Sequence, residues 1–130
     1  MNAHNRAAAA YGDAKSPRQV EYLAFARITR TLSEASAALE AGGAFEAFAR
    51  LVAALHENMK LWTFIAAQVA NPGNALPQNL RAQLFYLFEF TNAHTKLILS
   101  READTQPLID VNTAVMRGLR QDHGAQPCPA

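Results

Sequence analysis

The feature that most constrains the fold is a break of seven residues between two long segments whose apolar residues recur every three or four positions. It begins at Asn71 and reads Asn-Pro-Gly-Asn-Ala-Leu-Pro. Pro72 disfavours helical geometry at Asn71, and the following Gly73 and Asn74 tolerate positive φ. Pro77 has its φ preset for the first turn of a helix. The break therefore predicts the end of one helix and the start of another.

Helical periodicity extends along most of the chain, and no sustained period of two indicates a strand. The predicted elements are a short alanine-rich helix over 2–11 and four longer helices over about 17–42, 45–70, 77–101 and 105–120. The sequence therefore predicts an all-α fold, a compact antiparallel bundle of four main helices plus a short N-terminal helix. We expect one domain over 1–120 and a disordered tail over 121–130, which has no apolar face to bury.

Several local signals set the predicted helix boundaries. Ser16, Pro17 and Gln19 read as an N-cap, a first-turn proline and a capping-box glutamine. A Gly-Gly pair that starts at Gly42 closes that helix, and Gly118 suits the end of the last one. The helix that begins at Phe45 carries a heptad stripe, predicted to face the inside of a bundle: Phe45, Phe48, Val52, Leu55, Met59, Trp62, Ala66 and Val69.

Composition narrows the class of partner and the compartment. Lys and Arg total 12 against 11 Asp and Glu, so the formal charge of +1 creates no long-range field for nucleic acid or anionic membrane. The single Cys128 cannot form an internal disulfide, and the N-terminus lacks the apolar core of a signal peptide. No apolar run approaches the roughly 20 residues that span a bilayer. We predict a cytoplasmic protein without a membrane partner.

No reactive motif is complete. The stretch that starts at His56 resembles a zinc-protease helix, but Lys60 stands where the second histidine is needed. His94 lies on an apolar stripe, where a hydrogen-bonded histidine of the core or bundle edge is more common than a general base. Cys128 lies in a tail without a fixed base, and Gly42 opens no phosphate loop. We expect no enzyme activity, cofactor, metal or small-molecule substrate.

A basic patch is the main alternative to a protein-binding surface. If the fold gathered them, six cations could contact RNA phosphates: Arg18, Arg27, Arg30, Arg50, Lys60 and Arg81. Glu34 lies four residues after Arg30, which favours a solvated face of mixed charge. RNA binding therefore stays the second hypothesis.

Four blocks of sequence, in this order and spacing, resemble the flagellar biosynthesis regulator FlaF family over residues 7–119. They lie at 16–25, 58–62, 74–82 and 107–119, and a histidine at the position of His94 is also typical of the family. The residues that carry the resemblance include Ser16, Pro17, Asn58, Leu61, Trp62, Asn74, Leu76, Pro77, His94 and Asn112. The aromatic run at 85–90 and the tail after Leu119 depart from the family pattern.

The resemblance implies a small, cytoplasmic, non-enzymatic protein that promotes flagellin production and export and acts opposite FlbT, a translational repressor of flagellin. The implied mechanism is binding of flagellin before secretion, as an export chaperone or adaptor. Flagellin termini are amphipathic helices, so docking of a helix in a groove is the expected mode. The resemblance leaves three alternatives for the direct partner: flagellin, FlbT or both.

We expect the groove to lie between the helix after Ser16 and the helix after Pro77. Its predicted lining is the aromatic set Tyr22, Phe25, Phe85, Phe88 and Phe90. Asn58 and Asn112 are predicted to be structural, as hydrogen-bond partners of the broken backbone around Pro72. Trp62 is predicted to be a core residue whose indole N–H finds an acceptor such as a loop carbonyl.

Overall fold

The computed structural model describes residues 17–43 and 45–123, with side chains described over 21–43 and 45–119. Its elements are α1 (Pro17–Glu40), α2 (Phe45–Ala70), α3 (Gln78–Leu99) and α4 (Gln106–His123), and the described ranges contain no strand. The predicted all-α bundle is confirmed. The predicted helix over 2–11, the cap at Ser16 and the tail from 124 onward, with Cys128, lie outside the described residues.

The four helices pack in a cyclic order. α2 packs along both α1 and α3, and α4 packs along α1, whereas α3 and α4 touch at few places. α1 and α3 occupy opposite corners and do not pack against each other. The bundle is therefore closed along three of its four edges and sparsely packed along the fourth.

The Gly-Gly pair after α1 is required by backbone geometry. Gly42 has a φ of 96°, and its N–H donates to the Leu39 carbonyl at 3.1 Å. The Gly43 N–H donates to the Ala38 carbonyl at 3.1 Å, which completes a Schellman cap. A methyl group at Gly43 would lie 2.6 Å from the Cβ of Ala47. This confirms the predicted end of α1 and fixes how closely α2 approaches it.

The same cap ends α3, but with an arginine in the left-handed position. Arg101 has a φ of 65°, and the Glu102 N–H donates to the Leu97 carbonyl at 2.8 Å. A non-glycine residue is disfavoured in this conformation. The Arg101 guanidinium lies 4.5 Å from the centre of the Phe48 ring, a cation–π contact that offsets part of this strain.

The break between α2 and α3 is held by side-chain amides. Asn71 Oδ1 accepts the Gly73 N–H at 2.9 Å, and Asn74 Oδ1 accepts the Leu76 N–H at 2.9 Å. Gly73 and Asn74 tolerate positive φ, but neither adopts it in this break. Pro77 is the N-cap of α3 and not its first residue. Each asparagine side chain accepts a backbone N–H two residues later, as in an Asx-turn, so the chain turns here without a residue of positive φ.

The core consists of two apolar clusters, one toward each end of the bundle. The aliphatic cluster lies near the connections after α1 and α3, and its buried members are Leu32, Ala35, Leu51, Ala54, Leu55, Ile98 and Leu108. The aromatic cluster lies near the break between α2 and α3, and its buried members are Phe25, Trp62, Ile65 and Val69. We call these two ends the loop end and the termini end, because α1 starts and α4 stops at the second.

The predicted stripe of α2 is correct only in part. Leu55, Trp62, Ala66 and Val69 are buried as predicted, but Phe45 is 82% exposed and Val52 is also exposed. Ala47, Leu51 and Ala54 are buried in the first half of α2 instead. Ala47 packs directly against the turn after α1, so closely that Gly43 has no room for a Cβ.

α4 starts where the sequence predicts but ends later. Asp104 Oδ1 accepts the Gln106 N–H at 3.2 Å, which confirms the predicted cap region. α4 continues through Gly118 to His123, so Gly118 does not end it and the helix reaches into the segment predicted as a tail. Asn112 and Leu108 are fully buried on its inner face.

Candidate functional site

A layer of four polar residues, one from each helix, separates the two apolar clusters. Thr29, Asn58, Thr91 and Asn112 are all buried, and Asn58, Thr91 and Asn112 are 0% exposed. Asn112 Nδ2 donates to Asn58 Oδ1 at 2.8 Å and to Thr29 Oγ1 at 3.1 Å. The Trp62 indole N–H donates to Asn112 Oδ1 at 2.9 Å. We call Thr29, Asn58, Thr91 and Asn112 the polar layer.

The polar layer corrects two predictions. Asn58 and Asn112 bond to each other and not to the broken backbone around Pro72, which is held by Asn71 and Asn74. Trp62 is a core residue, as predicted, but its acceptor is the Asn112 side chain and not a loop carbonyl. Satisfying these donors with other buried side chains fixes the relative register of α1, α2 and α4.

Two members of the layer remain incompletely satisfied. Asn58 Nδ2 and Thr91 Oγ1 are buried and have no hydrogen-bond partner among the described residues. An unpaired buried polar group costs about 1–3 kcal/mol. The α2–α3 side of the layer is therefore less favourable than the α1–α4 side, where both Nδ2 hydrogens of Asn112 find acceptors.

The sparse edge between α3 and α4 leaves a shallow groove, which we call the seam. On α3, Arg81 donates to the Val69 carbonyl of α2 at 3.2 Å, whereas His94 Nε2 lies 2.9 Å from the Asp104 carbonyl oxygen just before α4. These two contacts show which flank of α3 faces each neighbour. The flank toward α4 carries Gln83, Tyr86, Leu87 and Phe90, at helical spacing.

The opposite wall of the seam is formed by α4. By helical periodicity its flank toward α3 carries Val111, Ala114, Val115 and Gly118. Three half-buried side chains pack against the aromatic cluster: Leu87, Val111 and Val115. Ala114 and Gly118 are exposed. None of the eight side chains of the two walls is charged. The seam is thus an uncharged groove over the aromatic cluster.

The seam is closed toward the loop end and open toward the termini end. The contact between His94 and the Asp104 carbonyl joins α3 to the start of α4. The Phe90 ring stacks on the His94 ring with centroids 5.3 Å apart and an interplanar angle of 18°. Beyond these residues the α3 wall continues to Leu80, which is 37% exposed. A helix that occupied the seam would therefore enter from the termini end.

The predicted aromatic groove is not formed. α1 and α3 lie at opposite corners, and Phe25 is a core residue, 1% exposed, whose ring packs edge-on against Trp62 at 5.6 Å. Tyr22 is half-buried on α1. Sequence periodicity located the individual apolar faces but could not show that helices one and three would be diagonal.

The aromatic run on α3 is divided between two flanks. Phe85 and Phe88 lie together on the flank toward α2, with ring centroids 5.5 Å apart. Phe90 lies on the other flank, beside the seam, stacked on His94. Of the five predicted partner residues, Phe90 is therefore the one that reaches the seam. Partner binding by Phe85 and Phe88 stays a prediction.

Several residues considered above as reactive or RNA-binding make structural contacts. No group of three or more possible metal ligands occurs in that part of the chain. Lys60 pairs with Glu57 at 3.7 Å, and Arg81 is engaged with the Val69 carbonyl. None of the four described helices is both long and apolar enough to span a bilayer. His94 serves the structure by bonding to the Asp104 carbonyl.

Fold and site together define a class: a small all-helical bundle with one sparsely packed edge whose walls carry no charge. Residues 3–119 match the protein family described as flagellar protein FlaF. The chain belongs to this family, so its role is related to the flagellum. Neither the curated proteins nor the solved structures include a match. The match begins four residues before the resemblance read from the motifs.

Proposed function

We propose that this protein binds flagellin in the cytoplasm before export, as a non-enzymatic chaperone or adaptor, and so promotes flagellin synthesis and export against the repressor FlbT. Membership of the FlaF family supports a flagellar role. The observation that carries the proposal further is the seam, an uncharged groove that one more helix would complete.

The dimensions and chemistry of the seam suit an amphipathic helix. From Gln83 to Phe90 the α3 wall runs for about 10 Å, or two helical turns. Its walls offer half-buried aliphatic side chains beside small ones, and helix-in-groove recognition uses apolar anchors at such spacing. The apolar face of an amphipathic helix would bury against Leu87 and Val115, while its polar face stayed in water.

The experiment is co-expression with flagellin, followed by purification at high salt. A stoichiometric complex that survives high salt is expected, because apolar contacts are weakly screened. If flagellin message is bound instead, affinity should fall steeply with added salt, by about 10³-fold or more between low and moderate salt for six phosphate contacts. That outcome would replace the proposal with RNA binding.

The seam is tested with charge-inserting variants at exposed wall positions. Tyr86→Asp and Ala114→Asp place a carboxylate in the groove without altering the core, since Tyr86 is 65% exposed and Ala114 is also exposed. Phe64→Asp and Ala53→Asp are the matched controls, because both lie exposed on α2. We expect at least a tenfold loss of flagellin affinity in the first pair only. Wild-type affinity in both seam variants would reject the seam as the flagellin site.

A further inference from the structure

We infer that α3 carries a self-association surface, on which a second copy of the chain packs its own α3 in the antiparallel direction about a two-fold axis. The surface is an apolar stripe outside the buried face of α3. We call it the outer stripe, and its residues are Tyr86, Phe90, Ala93 and Leu97. The self-association is independent of the proposed function, and only its competition with flagellin rests on that function.

The outer stripe is apolar surface that the bundle does not bury. α3 has three buried residues, against nine on α2. Tyr86 is 65% exposed and Leu97 is 42% exposed, while Ala93 is exposed and Phe90 is half-buried. These side chains recur at steps of four, three and four residues, the spacing at which two helices pack along a common line. Apolar surface in this pattern indicates a helical partner.

The sizes of the side chains along the outer stripe are complementary to themselves when the partner helix is antiparallel. About the midpoint of the stripe, Tyr86 lies opposite Leu97 of the second copy, and Phe90 lies opposite Ala93 of the second copy. Each ring therefore faces a smaller side chain, and each contact occurs twice, as a two-fold interface requires. A parallel pair would set Phe90 against Phe90 and Ala93 against Ala93, which leaves a gap at the alanines.

The charges of α3 favour the same arrangement. α3 has three charged residues, of which Arg81 is bound to the Val69 carbonyl, and the other two are the exposed Glu89 and Lys96. Neither has a charged residue three or four positions away in the helix, and neither forms an ion pair with another described residue. They lie seven residues apart, so both flank the outer stripe on one edge. Glu89 would lie within about 3 Å, along the axis, of Lys96 of the second copy.

This complementarity favours a second copy over an unrelated helix. The two-fold pair forms both ion pairs from Glu89 and Lys96 alone, whereas a parallel pair would set like charges opposite each other. The outer stripe is about 17 Å long, or three turns, which is short for a permanent interface. We therefore expect a reversible dimer at micromolar concentration. Because Tyr86 and Phe90 also line the seam, a second copy and a flagellin helix would exclude each other.

Sedimentation velocity of the full chain over a concentration series tests the dimer. Leu97→Asp should weaken self-association by about tenfold or more, because it places a carboxylate in the apolar stripe. Phe64→Asp is the matched control, since Phe64 is an exposed ring on α2, and we expect the wild-type dissociation constant for it. A wild-type chain that stays monomeric at millimolar concentration would overturn the inference, and so would equal effects of the two variants.

Charge reversal tests the antiparallel arrangement. At low salt, Glu89→Lys and Lys96→Glu should each weaken the dimer by about tenfold or more, because each sets like charges opposite each other at two places. The double variant forms both ion pairs in reversed order, so its dissociation constant should return to within about threefold of the wild-type value. Single variants with wild-type affinity, or a double variant without recovery, would overturn the proposed arrangement.

Added flagellin separates this surface from the proposed function. We expect flagellin to convert the dimer into a complex that contains one copy of the chain. Leu97 lies beyond the end of the seam that His94 closes, so Leu97→Asp should retain or raise the affinity for flagellin. A flagellin complex with two copies would reject the competition and keep the dimer. A dimer with the expected charge-reversal results but without flagellin binding would reject the proposed function and leave this inference intact.

Discussion

The two ends of the bundle differ in how completely their cores are enclosed. At the loop end, the aliphatic cluster receives buried side chains from all four helices, and the His94 contact joins α3 to the start of α4. At the termini end, the buried aromatic cluster comes from α1 and α2 alone, and half-buried side chains of α3 and α4 lie over it. The core is therefore enclosed by all four helices at the loop end, whereas α3 and α4 cover it only with half-buried side chains at the termini end.

The polar layer separates these two ends. It interrupts the apolar core at one level in every helix, so a shift of any helix by one turn would bury its polar residue among apolar side chains. Buried polar residues serve in this way to fix register in helical assemblies. The termini end can therefore stay open along the seam without letting the helices slide.

The largest predicted effect concerns the aromatic cluster. Trp62→Ala should lower the free energy of unfolding by about 3–5 kcal/mol, because it leaves a cavity and an unpaired Asn112 Oδ1. Leu55→Ala in the aliphatic cluster is the control, with an expected loss of about 2–4 kcal/mol. Urea denaturation followed by far-ultraviolet circular dichroism measures both. A smaller loss for Trp62→Ala would mean that the aromatic cluster adds less stability than its burial indicates.

The second prediction concerns the hydrogen bond between the Trp62 indole N–H and Asn112 Oδ1, which joins the aromatic cluster to the polar layer. In a double-mutant cycle of Trp62→Phe and Asn112→Ala, we expect a coupling energy of about 1–2 kcal/mol, because the indole N–H donates to Asn112 Oδ1 at 2.9 Å inside the core. Urea midpoints of the four proteins supply the cycle. Additive effects, within about 0.3 kcal/mol, would show that the polar layer does not depend on Trp62.

The third prediction is a gain in stability. Thr91→Val removes a buried hydroxyl that has no partner among the described residues, so stability should rise by about 1 kcal/mol. Thr95→Val is the control one turn later, because the Thr95 hydroxyl donates to the Thr91 carbonyl at 2.6 Å and its loss should lower stability by about 1 kcal/mol. Thermal unfolding of both variants decides the matter. A loss for Thr91→Val would show that its hydroxyl is satisfied in solution.

The smallest effects come from one glycine at each end. Gly42→Ala at the loop end should cost about 1 kcal/mol, since its φ of 96° disfavours a side chain. Gly118→Ala at the termini end should add about 0.5–1 kcal/mol, because the helix gains propensity and the methyl group meets nothing within 4 Å. Urea midpoints again provide the measure. If Gly118→Ala is instead destabilising in the full chain, a helix lies close against that position.

Local signals in the sequence predicted the elements well. The periodicity, the Gly-Gly pair and the break at Asn71 gave four helices whose observed bounds differ by about three residues at most. The stripe of α2 was predicted correctly from Leu55 onward but not before it. Periodicity alone does not distinguish two adjacent apolar faces, and the first half of α2 buries Ala47, Leu51 and Ala54 while Phe45 and Val52 stay exposed.

The candidate site was much less predictable. Phe90 was singled out and reaches the seam, but Phe25 went to the core and Phe85 to the other flank of α3. Thr29 and Thr91 were missed as members of the polar layer. One signal was present, since each helix has a polar residue inside its apolar stripe. To predict that these polar residues meet, one must know how the helices are positioned relative to one another along the bundle axis.

By itself, the sequence determined the helices, their ends and the family, because capping, turn chemistry and hydrophobic period act over a few neighbouring residues. Only the tertiary structure decided which helices are diagonal, that Asn58 and Asn112 meet, and that α3 and α4 leave a seam. These features join residues far apart in the chain, and they follow from how side-chain volumes on four helices fit together.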